Sequence, residues 1–417
     1  GNAAYTFDSR YSVTGSLRWD RSNLWGTSSK YQNKPIWSVG AAWIISNEKF
    51  FNASWVDHLK LRFSYGVGGN IAKDSAPYMV ASYYPNVNVG GQYGSVTTRP
   101  NSQLSWEKTT TANVGIDFAF LHNRLNGSVE FYNKDGRDLL ANTMGVPTEG
   151  FGYNTYSINN GEMYNRGVEI ALDGVILKTC DWHWRAQATF AYNANKITYV
   201  NVKAPMYILQ LDYPEAYPQI GNPYHAIYGY NWAGLSSEGL PQVYNEKGEK
   251  VTDKPTTLDA MLCLGTTVPK FSGSFSTSLS WRNFDLNVQF LFAGGHVMRN
   301  ANSPILQCGY TAIGYATTIS NVSCDIANRW QKPGDEANTN VPKVVFAESD
   351  YSAESLASTY NYSSINILKG DYLKIGNISL AYRLPRSICR KAYMQSARIQ
   401  FNVENPCLWA KSKQAKY

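Results

Sequence analysis

No apolar run in the chain approaches the ~18 residues that a membrane-crossing helix needs, and the mean hydropathy is −0.36. That excludes helical spans but not a membrane barrel, whose strands dilute their apolar residues by alternation. Charge is scarce: Asp, Glu, Lys and Arg make up 17% of 417 residues. The balance is +7, yet no Lys/Arg run gathers it, so the footprint of a nucleic-acid binder is missing. The scattered basic residues read as decoration of loops and a wet interior, drawn to anionic head groups, or as solvated surface charge. Six cysteines, at 180, 263, 308, 324, 389 and 407, show neither CxxC nor zinc-finger spacing. A Cys308–Cys324 bridge would close a loop; free, buried thiols are the other reading. His58, His122, His183, His225 and His296 never fall at metal-ligand i, i+4 spacing. The glycine cluster Gly66–Gly69 lacks the Lys-Ser/Thr that a phosphate-cradling loop carries. No catalytic residue, metal or cofactor is therefore assigned. The opening GNAAYTFDSRYSVTGS holds no signal peptide, which a membrane barrel must have, so either one was removed or the chain is a fragment.

Aromatics are abundant, with 30 Tyr and 12 Trp. They suit the aromatic girdles of a membrane protein and equally a sugar-stacking surface. Phe271 to Phe292 (FSGSFSTSLSWRNFDLNVQFLF) separates these ideas. Phe271, Phe275, Leu279 and Trp281 are odd-numbered with serines between them; Phe284, Leu286, Val288, Phe290 and Phe292 are even-numbered. Alternation means extended strand. A two-residue loop at Arg282-Asn283 would set Trp281 opposite Phe284, Leu279 opposite Leu286, Thr277 opposite Val288 and Phe275 opposite Phe290. Both apolar rows then share one face. The strands run to about ten residues, against ~5–6 in soluble proteins and the ~9–11 needed to cross a bilayer at a tilt.

The pattern recurs, and twelve strands are expected: about 3–7, 10–20, 36–46, 58–68, 105–120, 125–133, 165–173, 181–193, 270–281, 284–292, 372–384 and 397–405. A parity break at Gly376-Asn377 predicts a bulge. Connections alternate between short turns and long loops, the signature of a transmembrane antiparallel β-barrel. The longest, 194–269 and 293–371, are expected to be extracellular loop excursions, and Ile227–Leu235 is placed within the first of them. Arg62, Asp117, Glu130, Arg185, Gln187, Asn287 and Gln289 are expected to face the lumen, because Arg or Lys facing lipid at midplane costs ~2–4 kcal/mol. Tyr207, Tyr213, Tyr217, Tyr224 and Tyr228 crowd one long loop. They are candidates for contact with a substrate or a lid protein, or for packing loops together.

The residues also resemble a known family. NVGIDFAFLHNRLNGSVEFYNKDGRDLL from Asn113, NNGEMYNRGVEIAL from Asn159, RYSVTGSLRWDRS, WSVGAAWIISNEKFF, LKLRFSYGVGGN and YLKIGNISLAYRLP follow, in order, the barrel of SusC/RagA-type TonB-dependent outer-membrane transporters of Bacteroidetes. The resemblance implies all-β architecture: twelve strands of a barrel of about 22, with the plug, the first strands and the last strand outside this stretch. It also implies active import of oligosaccharides or oligopeptides across the bacterial outer membrane, and no enzyme activity. The implied partners are a SusD-like surface lipoprotein lid, a TonB complex acting through an absent N-terminal region, and the surrounding bilayer with its lipopolysaccharide. Where many members carry an acidic loop, this chain reads NEKGEKVTDK (Asn245–Lys254), so no ion site is carried over. A passive porin and a surface glycan-binding adhesin are the alternatives.

Overall fold

A computed structural model describes residues 1–20, 35–70, 78–88, 90–98, 100–144, 148, 155–202, 204, 206–300, 324–343 and 352–412. Twelve strands join in one antiparallel sheet in which each strand's neighbours are the barrel strands before and after it in the chain. They are Asn2–Phe7, Tyr11–Trp19, Pro35–Ile44, Val56–Asn70, Glu107–Phe120, Leu125–Met144, Thr155–Lys178, Trp182–Val200, Phe271–Trp281, Phe284–Gly294, Tyr372–Arg383 and Arg398–Ala410. These are the twelve strands the alternation predicts. An up-and-down order follows from local pairing alone, since every partner is the next alternating segment.

The register of the hairpin matches the sequence arithmetic. Trp281 pairs with Phe284, Leu279 with Leu286, Thr277 with Val288 and Phe275 with Phe290. Arg282 adopts a φ of +49°, the left-handed conformation that tight hairpin loops demand of a central residue. The predicted bulge is present: register slips between Gln289 and Phe290 against Asn377 and Ile375, and again where Asn377 meets Glu404 and Ile375 meets Cys407. Gly376 is the extra residue against Phe284–Gly294, whereas against Arg398–Ala410 it faces two residues, Asn405 and Pro406.

Because side chains alternate, each face of the sheet has one character. Val13, Leu17, Val39, Phe63, Val114, Ile116, Phe131, Phe190, Phe275, Leu380 and Phe401 are all exposed on one face. At its short-turn edge, Trp182, Trp281, Phe284 and Tyr382 stand side by side on four successive strands, with ring centroids 5.6, 6.1 and 4.6 Å apart. Such a row matches the aromatic girdle of a membrane interface.

Three strands run much further than the alternation reached. Leu125–Met144 has 20 residues, Thr155–Lys178 has 24 and Trp182–Val200 has 19. Their added lengths carry Asn142, Thr143, Asn159, Asn160 and Asn195, which do not alternate with apolar residues. Backbone pairing continues there without the two-faced environment that imprints a pattern.

The connections between Val200 and Phe271, and between Gly294 and Tyr372, build small sheets apart from the twelve-stranded one. Ala226–Tyr230 pairs with Met261–Thr266; Trp232–Leu235, Pro241–Tyr244 and Lys250–Val251 form three strands; Val297–Arg299 pairs with Ile367–Lys369. Cys180, Cys263, Cys324 and Cys407 are exposed free thiols and Cys389 is a buried one, so the expectation of buried thiols holds only at Cys389. Cys308, and with it the Cys308–Cys324 bridge, lies outside the described residues.

Candidate functional site

The face opposite the apolar row carries ion-paired clusters. Arg62 Nη2 donates to Asp117 Oδ1 at 2.8 Å, its Nε lies 2.8 Å from Oδ2, and Nη2 also reaches Glu130 at 3.5 Å. Asn113 donates to the other Glu130 oxygen. A Cβ on Gly115 would sit 3.0 Å from Arg62 Nη2 and 3.2 Å from its Cζ, so the glycine leaves the trough in which the guanidinium lies. Further round the sheet, Arg185 Nε and Nη2 both lie 2.8 Å from Asp173 Oδ2, and Gln187 Nε2 donates to the same oxygen at 2.7 Å. Ser278 Oγ donates to Asn287 at 2.6 Å, while Asp285 accepts from Ser280 at 2.7 Å and from Arg383 at 2.8 Å. Gln289 stands in register between Ser276 and Asn377.

Arg62, Asp117, Glu130, Arg185, Gln187, Asn287 and Gln289 share the face of the sheet opposite the apolar row. Five are engaged in two separate clusters, Arg62–Asp117–Glu130 and Arg185–Gln187–Asp173. Asn113 and Asp173 complete these clusters, and Arg383 pairs with Asp285 outside them. Asp173 faces Gln187 only through a register slip between Trp184 and Arg185, which no alternation count reveals.

The five tyrosines divide. Tyr228 is 1% exposed and Tyr217 8%, and Tyr207 packs on the same small core as Leu211, Ala226, Tyr230, Val243 and Met261. Burial of the Tyr217 and Tyr228 rings holds the loops together, and Tyr207 is partly buried against them. Tyr224 is half-buried, its backbone N–H donating to Asn195 at 2.7 Å. Tyr213 is 61% exposed.

One cation ties the two long connections together. Arg299 donates to the backbone oxygens of Tyr228 at 2.8 Å and Asn361 at 3.2 Å, and its guanidinium lies 4.7 Å from the centre of the Tyr362 ring. Tyr362 in turn donates to Asp212, and Tyr230 N–H donates to Tyr362 O at 3.0 Å. Burial pushes the phenols of Tyr360 and Tyr362 up to about 12, and burial of Arg299 draws its guanidinium below its usual value. No cluster of His, Cys, Asp and Glu among the described residues could hold a metal.

Residues 1–405 match the family model described as TonB dependent receptor-like, beta-barrel. The chain belongs to that family. It is an outer-membrane protein, and its sheet is part of a transmembrane antiparallel β-barrel. It is similar to TonB-dependent receptor P3 of Formosa agariphila, 26% identical over 97% of this chain and 40% of that protein. It is also similar to TonB-dependent receptor SusC of Bacteroides thetaiotaomicron, 34% identical over 48% of this chain and 20% of that protein. Among solved structures, the RagAB peptide importer superposes with a TM-score of 0.78 at 25% identity, covering 99% of this chain and 44% of the compared one. The chain spans about two-fifths of the length of the first of these relatives.

Proposed function

We propose that this stretch forms part of the wall and outer mouth of an active nutrient importer. The observation that carries the reading is the two-faced sheet, with an exposed apolar face edged by an aromatic row and an opposite face of satisfied ion pairs. A bilayer on one side and a water-filled passage on the other suit both faces. Arg62, Asp117, Glu130, Arg185, Gln187, Asn287 and Gln289 then line the lumen. Because Arg62, Asp117, Glu130 and Arg185 are paired within the wall, they present neutralised clusters beside amides and hydroxyls, which suits bulky polar cargo over a single ionic species. The connections 201–270 and 295–371 lie at the end of the sheet where all the long loops emerge, and we place that end outside the cell. Likeness to the SusC receptor and the RagAB importer supports oligosaccharide or oligopeptide cargo, a SusD-like lipoprotein above the loops and energy from a TonB complex.

The test is deletion of the gene followed by growth and uptake on a panel of glycans and oligopeptides, with TonB inactivated in parallel. Loss of uptake of one cargo, reproduced by TonB inactivation, is the expected result. Uptake unchanged on every cargo overturns the importer reading, and uptake lost on gene deletion but retained without TonB favours a passive porin.

A further inference from the structure

A separate hairpin in the connection between Val56–Asn70 and Glu107–Phe120 is used neither by the wall nor by the loop core. Val80–Pro85 and Gln92–Thr98 pair only with each other. From Tyr78 to Thr98 the sequence holds no Asp, Glu, Lys, Arg or His. It is nonetheless crowded with rings, and they stand in the open: Tyr83 is 72% exposed and Tyr93 51%, with Tyr78 and Tyr84 exposed as well.

The register arranges these rings as two platforms. Tyr83 lies opposite Gly94, and a Cβ there would meet the Tyr83 ring carbons at 3.4, 3.7 and 3.9 Å. The ring therefore lies down across the bare glycine and shows its other π face to solvent. On the opposite face of the hairpin Tyr84 pairs with Tyr93, with centroids 5.6 Å apart and planes inclined by 32°. Around the rings stand Ser82, Ser95, Gln92, Asn86 and Asn88, all hydroxyls and amides that can both donate and accept. Asn86 shapes the tip, its side-chain oxygen accepting from Asn88 N–H at 3.1 Å.

A ligand for this surface must offer C–H faces to stack on flat rings and hydroxyls for amides to bind, and it gains nothing from carrying charge. Within Tyr78–Thr98 the charged termini of a peptide meet no charged side chain, and an apolar protein partner would leave the surrounding amides unpaired. We propose that this hairpin binds uncharged polysaccharide, as a first capture point for cargo at the mouth. The capture role rests on the importer reading, but the binding does not.

The experiment uses the full-length protein in detergent, titrated calorimetrically with neutral glucans, xylan and mannan, with anionic alginate and an oligopeptide mixture as comparators. Binding of at least one neutral glycan is expected, weakened about tenfold by Tyr83→Ala, the factor that ~1.4 kcal/mol of lost stacking makes, and retained by Tyr83→Phe. The tyrosines are exposed, so the variants should keep the heat-modifiable migration of a folded barrel. Neutral glycan binding unchanged by Tyr83→Ala and Tyr93→Ala together overturns the inference. So does binding of alginate or peptide alone. If glycan binds through the tyrosines but gene deletion leaves all uptake intact, the hairpin inference stands and the importer reading falls.

Discussion

Placing arginine along the apolar row should map the bilayer residue by residue. Phe284 lies beside the short turn, whereas Val288 pairs with Thr277 and Ile378 in the middle of an 11-residue strand. Four residues separate them, a vertical distance of about 10 Å for a strand tilted by ~40° at ~3.3 Å per residue. A barrel's apolar band is ~25 Å tall, so Val288 sits close to midplane and Phe284 at the interface. Val288→Arg should then cost about 3 kcal/mol, Leu286→Arg an intermediate amount and Phe284→Arg at most ~1 kcal/mol. Asn287→Arg, one residue from Val288 but on the polar face, should cost little. The assay is reversible folding of the protein into lipid vesicles under denaturant, followed by tryptophan fluorescence. Equal costs at 284, 286 and 288, or a cost at 287 that matches 288, would refute the assignment of the two faces.

Other outcomes follow from the loop core. Arg299→Met leaves the carbonyls of Tyr228 and Asn361 without their donor and should destabilise the joined connections by roughly 3 kcal/mol, at ~1–3 kcal/mol for each buried group left unpaired; limited proteolysis should then cut within both 201–270 and 295–371 while the wall stays intact. Gly239 has a φ of +77° and lies against the Trp330 ring, so Gly239→Ala should undock that turn, read as lost protection of the Trp330 indole from exchange. Tyr360 and Tyr362, raised from 10.0 to about 12, stay neutral in the folded loops after they would ionise in unfolded chain. The stability they support is whole below pH 10 and is lost as pH climbs toward 12, so the tyrosinate absorbance of the wild type should rise late.

The wall was legible from sequence because lipid and water impose a period of two on every crossing strand. Trp281 opposite Phe284 needed only a count of residues through the turn. The bulge at Gly376 showed itself as a break in parity. Where the chain leaves the two-faced environment, the code changes. Asn142 belongs to a paired strand, yet the residues around it, LLANTM, do not alternate. The hairpin around Tyr83 and Tyr93 escaped notice because its exposed aromatics fall on both faces. Tyr228 and Tyr213 are the same residue type fifteen positions apart, and only the return of a distant segment, with Tyr362 and Arg299, makes one a core residue and leaves the other free. Local pattern carries no trace of that meeting, so a cluster of tyrosines read as surface chemistry proves in part to be a miniature interior.

The two great connections spring from the paired open end of a single hairpin, at Phe271 and Gly294, and are clasped by Arg299 above it. Neither can be exchanged for a relative's version without stranding the other's half of the clasp. Altering what the mouth admits would therefore take transplantation of both segments together with the hairpin that roots them, as one inherited cassette.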